Sequence, residues 1–299
     1  MAYKYMLYEK QGNIARVILN RPEKLNAMTF VGSGPDALEF YAALDEAAND
    51  DDVKVVILKG AGRAFSTGQD LNKVGFVYGM GTQKDERRPS QRIRLKIDRE
   101  AFYDHRLKLL YHPKITICQI HGYAVGGGVI FAVTSDLAIA ADDAQLGFTE
   151  QRLGFAGTTM VFPMLINTVG LKRARELLLS GRIISGQEAA KIGLINKAVP
   201  ADKLEEEVEK TAHAMSLLPR DGIAIGKAIT HLTFEQMGFT AGLVAGYIGH
   251  TLFTNVQWEQ DEYNFFRERR DKGTRAAFHG RDDRYQNLIP SQTATKEKK

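Results

Sequence analysis

Two glycine-bearing stretches carry the clearest chemical possibility in this chain. They read AFSTGQDL at 64–71 and HGYAVGGGVI at 121–130. Each follows an apolar, β-branched run and places glycine where a strand ends. Glycine lets the backbone turn unusually and lets a ligand come close. In the second stretch a helix is expected to begin within Gly126, Gly127 and Gly128. Its first N–H groups then lack internal acceptors and point outward beside the positive end of the helix dipole. Such donors can hold negative charge that develops on a carbonyl oxygen. Taken singly, each stretch also fits a tight turn or close helix packing.

The other reactive residue types offer less. His121 reads as a hydrogen-bonded structural histidine, Tyr123 as packing under the glycine turn, and Asp70 as a residue that orders its own loop. Arg87, Arg88, Arg92 and Arg94 read as a solvated helix face, and Trp258, Phe265 and Phe266 as core or interface. One cysteine and seven scattered histidines give no zinc spacing. The GxxxxGK[ST] phosphate loop and the GxSxG nucleophile motif are both absent.

The elements that must position the two stretches alternate. Ile14–Leu19, with Gly12 and Asn13 as the turn before it, reads as a strand, followed by helical spacing at Leu38, Tyr41, Ala42 and Leu44. Further strands are expected at 53–58, Ile115–Ile120 and 137–140, with an apolar helix over 129–134. This alternation predicts an α/β core with a substantial parallel component. Ser185 with Glu188 predicts a capping box, and Asp202 is expected to cap a helix with Leu204 and Val208 inward. Helices dominate from 201 to 270, and the polar tail 291–299 is expected to be disordered. Between 71 and 97 lie three glycines and a charged stretch, which reads as a loop leading into a helix and a possible active-site lid.

Composition narrows the setting. The formal net charge of +4 is small and gives no indication of nucleic acid, and no basic-aromatic motif supports RNA binding. The lone Cys118 cannot form an intramolecular disulfide, which fits a reducing compartment. The first residues lack a secretory apolar region and no stretch is long enough to span a membrane, so a cytoplasmic protein is expected.

The order and spacing of these pieces resemble the crotonase family, also called enoyl-CoA hydratase/isomerase. NRPEKLNAM at 20–28 resembles that family's first coenzyme A turn. The run 53–62 with 64–71 resembles its first oxyanion segment, and Pro113-Lys114 leading to 122–128 its second. The stretch 180–200 resembles the approach to its C-terminal helices, and the likeness covers roughly 5–270. The resemblance implies a spiral of ββα turns over 1–200, a helical trimerisation region over 201–288, and a disordered tail over 289–299. It implies a homotrimer or a dimer of trimers acting on an acyl-CoA thioester. Coenzyme A is part of the substrate, so no separate cofactor or metal is expected. It places the oxyanion donors at the backbone N–H of Thr67 and Gly127. Substrate contacts carry over to Glu23, Lys24, Leu25, Ala64, Ser66, Gly68, Gln69, Asp70, Leu71 and Ile130. Residues around Phe265 are implied to help close the site, from the same or a neighbouring subunit.

One departure from the family pattern decides most. Family hydratases place one glutamate two residues after the glycine run and another in a later segment. Here those positions are Ile130 and Glu150. Two carboxylates divide the work of adding water, whereas one suffices for moving a proton between carbons. A dry pocket beside Ile130 would also favour a raised Glu150 pKa. Double-bond isomerisation by Glu150 is therefore preferred slightly over hydration. A second acid from Asp85, Glu86, Asp98 or Glu100 remains open, although those residues read as an exposed charged face. Two alternatives stand beside this reading. One is hydrolysis or retro-Claisen cleavage of a cyclic or β-keto acyl-CoA, suited by Phe131, Phe148 and Phe155. The other is an acyl-CoA-binding protein without chemistry.

Overall fold

The computed structural model describes residues 3–30, 34–75, 89–155 and 161–291. Along the chain run β1 (Met6–Gln11), β2 (Ile14–Leu19), α1 (Pro35–Asn49), β3 (Val55–Gly60), α2 (Gln91–Arg99) and α3 (His105–Leu110). Then come β4 (Ile115–Ile120), β5 (Tyr123–Val125), α4 (Gly127–Thr134), β6 (Leu137–Ala141) and β7 (Gln145–Gly147). A 3-10 turn, Glu150–Leu153, precedes α5 (Phe162–Val169), α6 (Leu171–Ser180), β8 (Ile184–Ser185), α7 (Gly186–Lys191) and β9 (Lys197–Val199). The helices α8 (Leu204–Ser216), α9 (Arg220–Gln236), α10 (Phe239–Leu252), α11 (Phe265–Lys272) and α12 (Thr274–Asp283) complete the described chain.

Six strands form one sheet in the order β1-β2-β3-β4-β6-β9. The first pair is an antiparallel hairpin through Gly12 and Asn13, and the remaining pairs are parallel. β3 is buried along nearly its whole length, as expected of a parallel strand covered on both faces. A second sheet of β5, β7 and β8 stands apart. The two sheets put the second glycine stretch between β4 and α4, with β5 inside it.

Several local expectations differ from the structure for physical reasons. The strand read at 53–58 begins at Val55, because Val53 N–H closes a turn onto Asp50 O at 3.1 Å. β1 was not legible, since only Met6 of its six residues is buried. The short strands β5, β7, β8 and β9 leave too few residues for a period. Ser185 caps α7 as expected, accepting from Glu188 N–H at 3.1 Å. Asp202 does not cap its helix: it sits in a 3-10 turn, and α8 begins after Lys203 with no side-chain cap. Leu204 and Val208 do face inward, and with Ala212 they lay α8 on the core. Arg16 grips Glu209 of α8 through two bonds of 2.8 and 2.6 Å.

The helix expected after the 71–97 loop is α2. Arg94 and Asp98 on it are fully buried and paired at 3.1 Å, which corrects the solvated-face reading. They pack onto α10, where Thr251 donates to Asp98 at 3.0 Å and His250 lies 2.7 Å from an Arg94 nitrogen. Asp85, Glu86, Arg87 and Arg88 lie outside the described residues. No described helix is long and apolar enough to cross a membrane.

Candidate active site

The site begins at the turn Pro22–Lys24. After it, Leu25 and Asn26 have φ of 50° and 52°, a left-handed conformation that asparagine tolerates better than most residues. Asn26 is buried and fully employed. Its Oδ1 accepts from Arg21 N–H at 2.8 Å, and its Nδ2 donates to the carbonyls of Ala61 and Ala64 at 2.9 and 2.8 Å. Ser66 Oγ donates to Asn26 O at 2.8 Å. This turn and the first glycine stretch are thus one unit.

The first stretch runs between two neighbours. On one side Met28 N–H donates to Gly68 O at 2.8 Å, and Asp70 N–H donates to Met28 O at 2.9 Å. On the other, Ser66 N–H donates to Tyr123 O at 2.8 Å, and Val125 N–H donates to Ser66 O at 3.1 Å. The two glycine stretches therefore lie side by side. Gly68, with φ of 77°, touches the second stretch: a Cβ there would fall 2.5 Å from Gly127 N and 2.4 Å from Val125 O. Only glycine fits.

Glu150 enters from the third side. It opens the 3-10 turn Glu150–Leu153 and is partly buried. A Cβ on Gly126 would lie 3.3 Å from Glu150 Oε1. Gly126 N–H donates to Gly147 O at 2.8 Å, which ties the glycine run to the segment leading to Glu150. Buried Arg152 holds that segment from behind, donating to Ser180 O, Ile289 O and Ser291 Oγ at 2.8, 2.7 and 3.0 Å. Desolvation holds its guanidinium below the usual arginine pKa.

A cavity of about 580 Å³ opens where these segments meet. Glu23, Lys24, Leu25, Thr67, Gln69, Asp70, Leu71, Gly127 and Glu150 line it. Four expected contact residues do not. Ala64, Ser66 and Ile130 are buried in the core, and Gly68 is the wedge between the stretches. Asp70 faces Arg21 at 3.5 Å and accepts from Asn72 N–H at 3.0 Å, as a loop-ordering residue should. Asp98 lies in the α2–α10 cluster, not on the cavity.

The donor expected at Thr67 also needs correction. Its N–H donates to Leu25 O at 3.1 Å. Gly68 O and Asp70 N–H are both bonded to Met28, and Gln69 between them lines the cavity. Gly127 opens α4, where an N–H has no acceptor within the helix.

Other sequence readings meet mixed outcomes. His121 is structural, with Nε2 2.9 Å from Gly62 O. Tyr123 lines the cavity instead of packing beneath it. Phe131, Phe148 and Phe155 are core, as are Phe265 and Phe266. Closure comes from α12 of the same chain, which brings Thr274, Phe278, Arg281 and Asp282 to the cavity. Sequence reasoning missed them, along with Arg63 and Asn72, because nothing local joins α12 to residues some two hundred positions earlier. Arg269 of α11 bonds Leu71 O and stacks over Phe266, its ring centroid 4.9 Å away, fastening this cover to the first stretch.

Comparison with known proteins agrees with this architecture. A family model described as enoyl-CoA hydratase/isomerase matches residues 9–273. A hydroxycinnamoyl-CoA hydratase-lyase of Pseudomonas fluorescens is 32% identical over 240 residues, covering 78% of this chain and 82% of its own. An enoyl-CoA hydratase structure from Mycobacterium smegmatis superposes with a TM-score of 0.80 at 26% identity, covering 94% of each chain. An enoyl-CoA hydratase/isomerase structure from Xanthobacter autotrophicus Py2 gives 0.79 at 31% identity, covering 95% of this chain and 99% of that one. With two glycine stretches pressed together beside Glu150, and these likenesses along nearly the whole chain, the protein belongs to the crotonase (enoyl-CoA hydratase/isomerase) family of acyl-CoA enzymes.

Proposed function

We propose that the protein isomerises the double bond of an enoyl-CoA thioester, with Glu150 as the one acid/base. The observation that carries this is the placement of Glu150 Oε1 against Gly126, beside the Gly127 N–H, with buried Ile130 at the other family glutamate position. The thioester oxygen sits between the N–H groups of Gly127 and Gln69. The Glu150 carboxylate takes a proton from the carbon next to the thioester. The electrons move onto the oxygen, where the donors hold the dienolate. Glu150 then returns the same proton to the γ carbon, and the double bond comes to rest in conjugation. No water is consumed. Lys24, Arg63 and Arg281 at the cavity suit the phosphates of coenzyme A.

Hydration is the second reading, favoured by the activity named for the relatives. The two separate cleanly by product. With a β,γ-enoyl-CoA in deuterated water, isomerisation gives the α,β-enoyl thioester with no 3-hydroxyacyl product. Rapid 3-hydroxyacyl-CoA formation from the α,β-enoyl thioester, with no migration of the double bond in the β,γ isomer, would overturn isomerisation. We also infer an assembly of identical subunits: Ile225, Ile229 and Leu232 form a stripe on α9, each more than 60% exposed. Such a stripe suits cover by a second copy.

A further inference from the structure

Beyond the glycine stretches lies a group that proton transfer does not use. Arg106, on α3, is 3% exposed. Its guanidinium carbon sits 4.8 Å from the ring centroid of Phe30 and 5.2 Å from that of Phe131. Its Nε and Nη1 are buried and make no hydrogen bond among the described residues. No described carboxylate pairs with it. The hydroxyl of Tyr41, equally buried, also makes no hydrogen bond among the described residues and acts electrostatically on Arg106. A cation placed among aromatic rings gains some attraction from their faces. That attraction leaves its N–H groups without acceptors, and an unpaired buried charge is strongly unfavourable.

Position gives the group a use. A Cβ on Gly127 would meet Phe30 Cε2 at 2.8 Å. The same ring lies under the guanidinium, so a single phenyl ring spans the step from the oxyanion donor to Arg106. Phe30 is also held to the first glycine stretch, its N–H donating to Gln69 Oε1 at 3.1 Å. Phe30, Phe131, Tyr41 and Arg106 do not themselves line the cavity, so the Phe30 ring is what stands between its Gly127 wall and a fork of N–H donors, and an acyl group reaching them would turn that ring aside.

We propose that Arg106 and Tyr41 form a distal anion subsite, and that the acyl group carries a carboxylate at its far end. The substrate class is then the CoA thioester of a short dicarboxylic acid. This rests on the acyl-CoA reading above. The guanidinium would donate paired N–H bonds to the carboxylate, with the Tyr41 hydroxyl as a further donor. Burial holds the Arg106 pKa below its ordinary value, and a bound carboxylate would reverse that shift. A neutral alkyl tail leaves both groups unsatisfied.

The test uses full-length protein and matched thioesters. Dissociation constants of succinyl-, glutaryl- and adipyl-CoA are compared with those of butyryl-, valeryl- and hexanoyl-CoA, in wild type, Arg106→Met and Arg106→Lys. At least one dicarboxylic member should bind about tenfold to hundredfold tighter than its neutral partner, as a charge-assisted bond predicts. Arg106→Met should abolish or reverse that preference while keeping the neutral series, and Arg106→Lys should retain part of it. The melting temperature of Arg106→Met without thioester should be unchanged or higher, since an unpaired buried charge is removed. Binding of each pair within about threefold in wild type would overturn the subsite. So would a lower melting temperature in Arg106→Met with equal weakening of both series, which marks a structural cation. Failure of every thioester and of free coenzyme A to bind would overturn the acyl-CoA reading itself.

Discussion

At the level of single residues, the site depends on which backbone atoms are already occupied. Thr67 and Gln69 sit two apart in one stretch and both line the cavity, yet the Thr67 N–H is committed to Leu25 O. With Glu150 as the proposed acid/base, Glu150→Gln should lower kcat by about 10²–10⁴-fold, the usual worth of a positioned proton-transfer group. Thioester binding should persist, and proton exchange at the carbon next to the thioester should stop. Full turnover in that variant would remove Glu150 from the mechanism. Gly127→Ala tests the donor side. Its Cβ would press Phe30 at 2.8 Å and Gly68 Cα at 3.3 Å. Activity should fall more than stability, because the phenyl ring can yield while the oxyanion position shifts. Equal activity in Gly127→Ala and wild type would count against the donor. Asn26→Ala should cost about 1–3 kcal/mol, since it strands the buried Ala64 carbonyl. Denaturant unfolding measures this directly.

At the level of elements, three segments far apart in sequence are tied together by side chains behind the cavity. Arg152 fastens the Glu150 turn to the C-terminal residues Ile289 and Ser291, and Arg269 fastens α11 to Leu71. Arg152→Ala should therefore loosen the α12 cover, raising the thioester dissociation constant while leaving the main sheet intact. Faster amide exchange in 274–291 with unchanged exchange in β3 and β4 is the expected pattern. Ser185 gives a local control. Its hydroxyl caps α7 and Ser185 does not line the cavity, so Ser185→Ala should lower stability by about 1 kcal/mol without altering kcat. A change in kcat of the same size as in Arg152→Ala would show that the elements are not separable in this way.

At the level of the whole molecule, pH and assembly are the accessible readouts. His112 is buried, with Nε2 3.1 Å from Leu44 O, and desolvation holds its pKa below the ordinary 6.5. As pH falls below about 6.5 the unfolded chain takes up a proton that the folded chain refuses. Stability should therefore decline with falling pH from there down to the folded-state pKa, by up to about 1.4 kcal/mol per pH unit. His112→Gln should flatten that part of the pH–stability curve, and an unchanged slope would assign the acid sensitivity elsewhere. His250, also held low by burial, is the next candidate for the remaining slope. The α9 stripe makes a separate prediction. Ile229→Glu should shift the protein to smaller species in light scattering, because a charge in a covered apolar face is costly.

Much of this protein was open to reading from its residues. The two glycine stretches, their order and the apolar runs before them are local patterns, and they carried the parallel core, the family resemblance and the choice of Glu150. The Ser185 cap was equally legible, because its bond spans three residues. What lay beyond reach depends on contacts between distant segments. Whether an N–H points at Leu25 or at the cavity is set by the neighbours of an extended chain, not by its own residue type. Ile130 was recognisable as apolar, but only packing shows that it leaves the cavity wall and joins the core. Arg94 and Asp98 look like a wet helix face until α10 covers them. The cover by α12 and the solitary Arg106 beside Phe30 follow from the same cause: burial and pairing are properties of the assembled tertiary structure, and no stretch of sequence contains them alone.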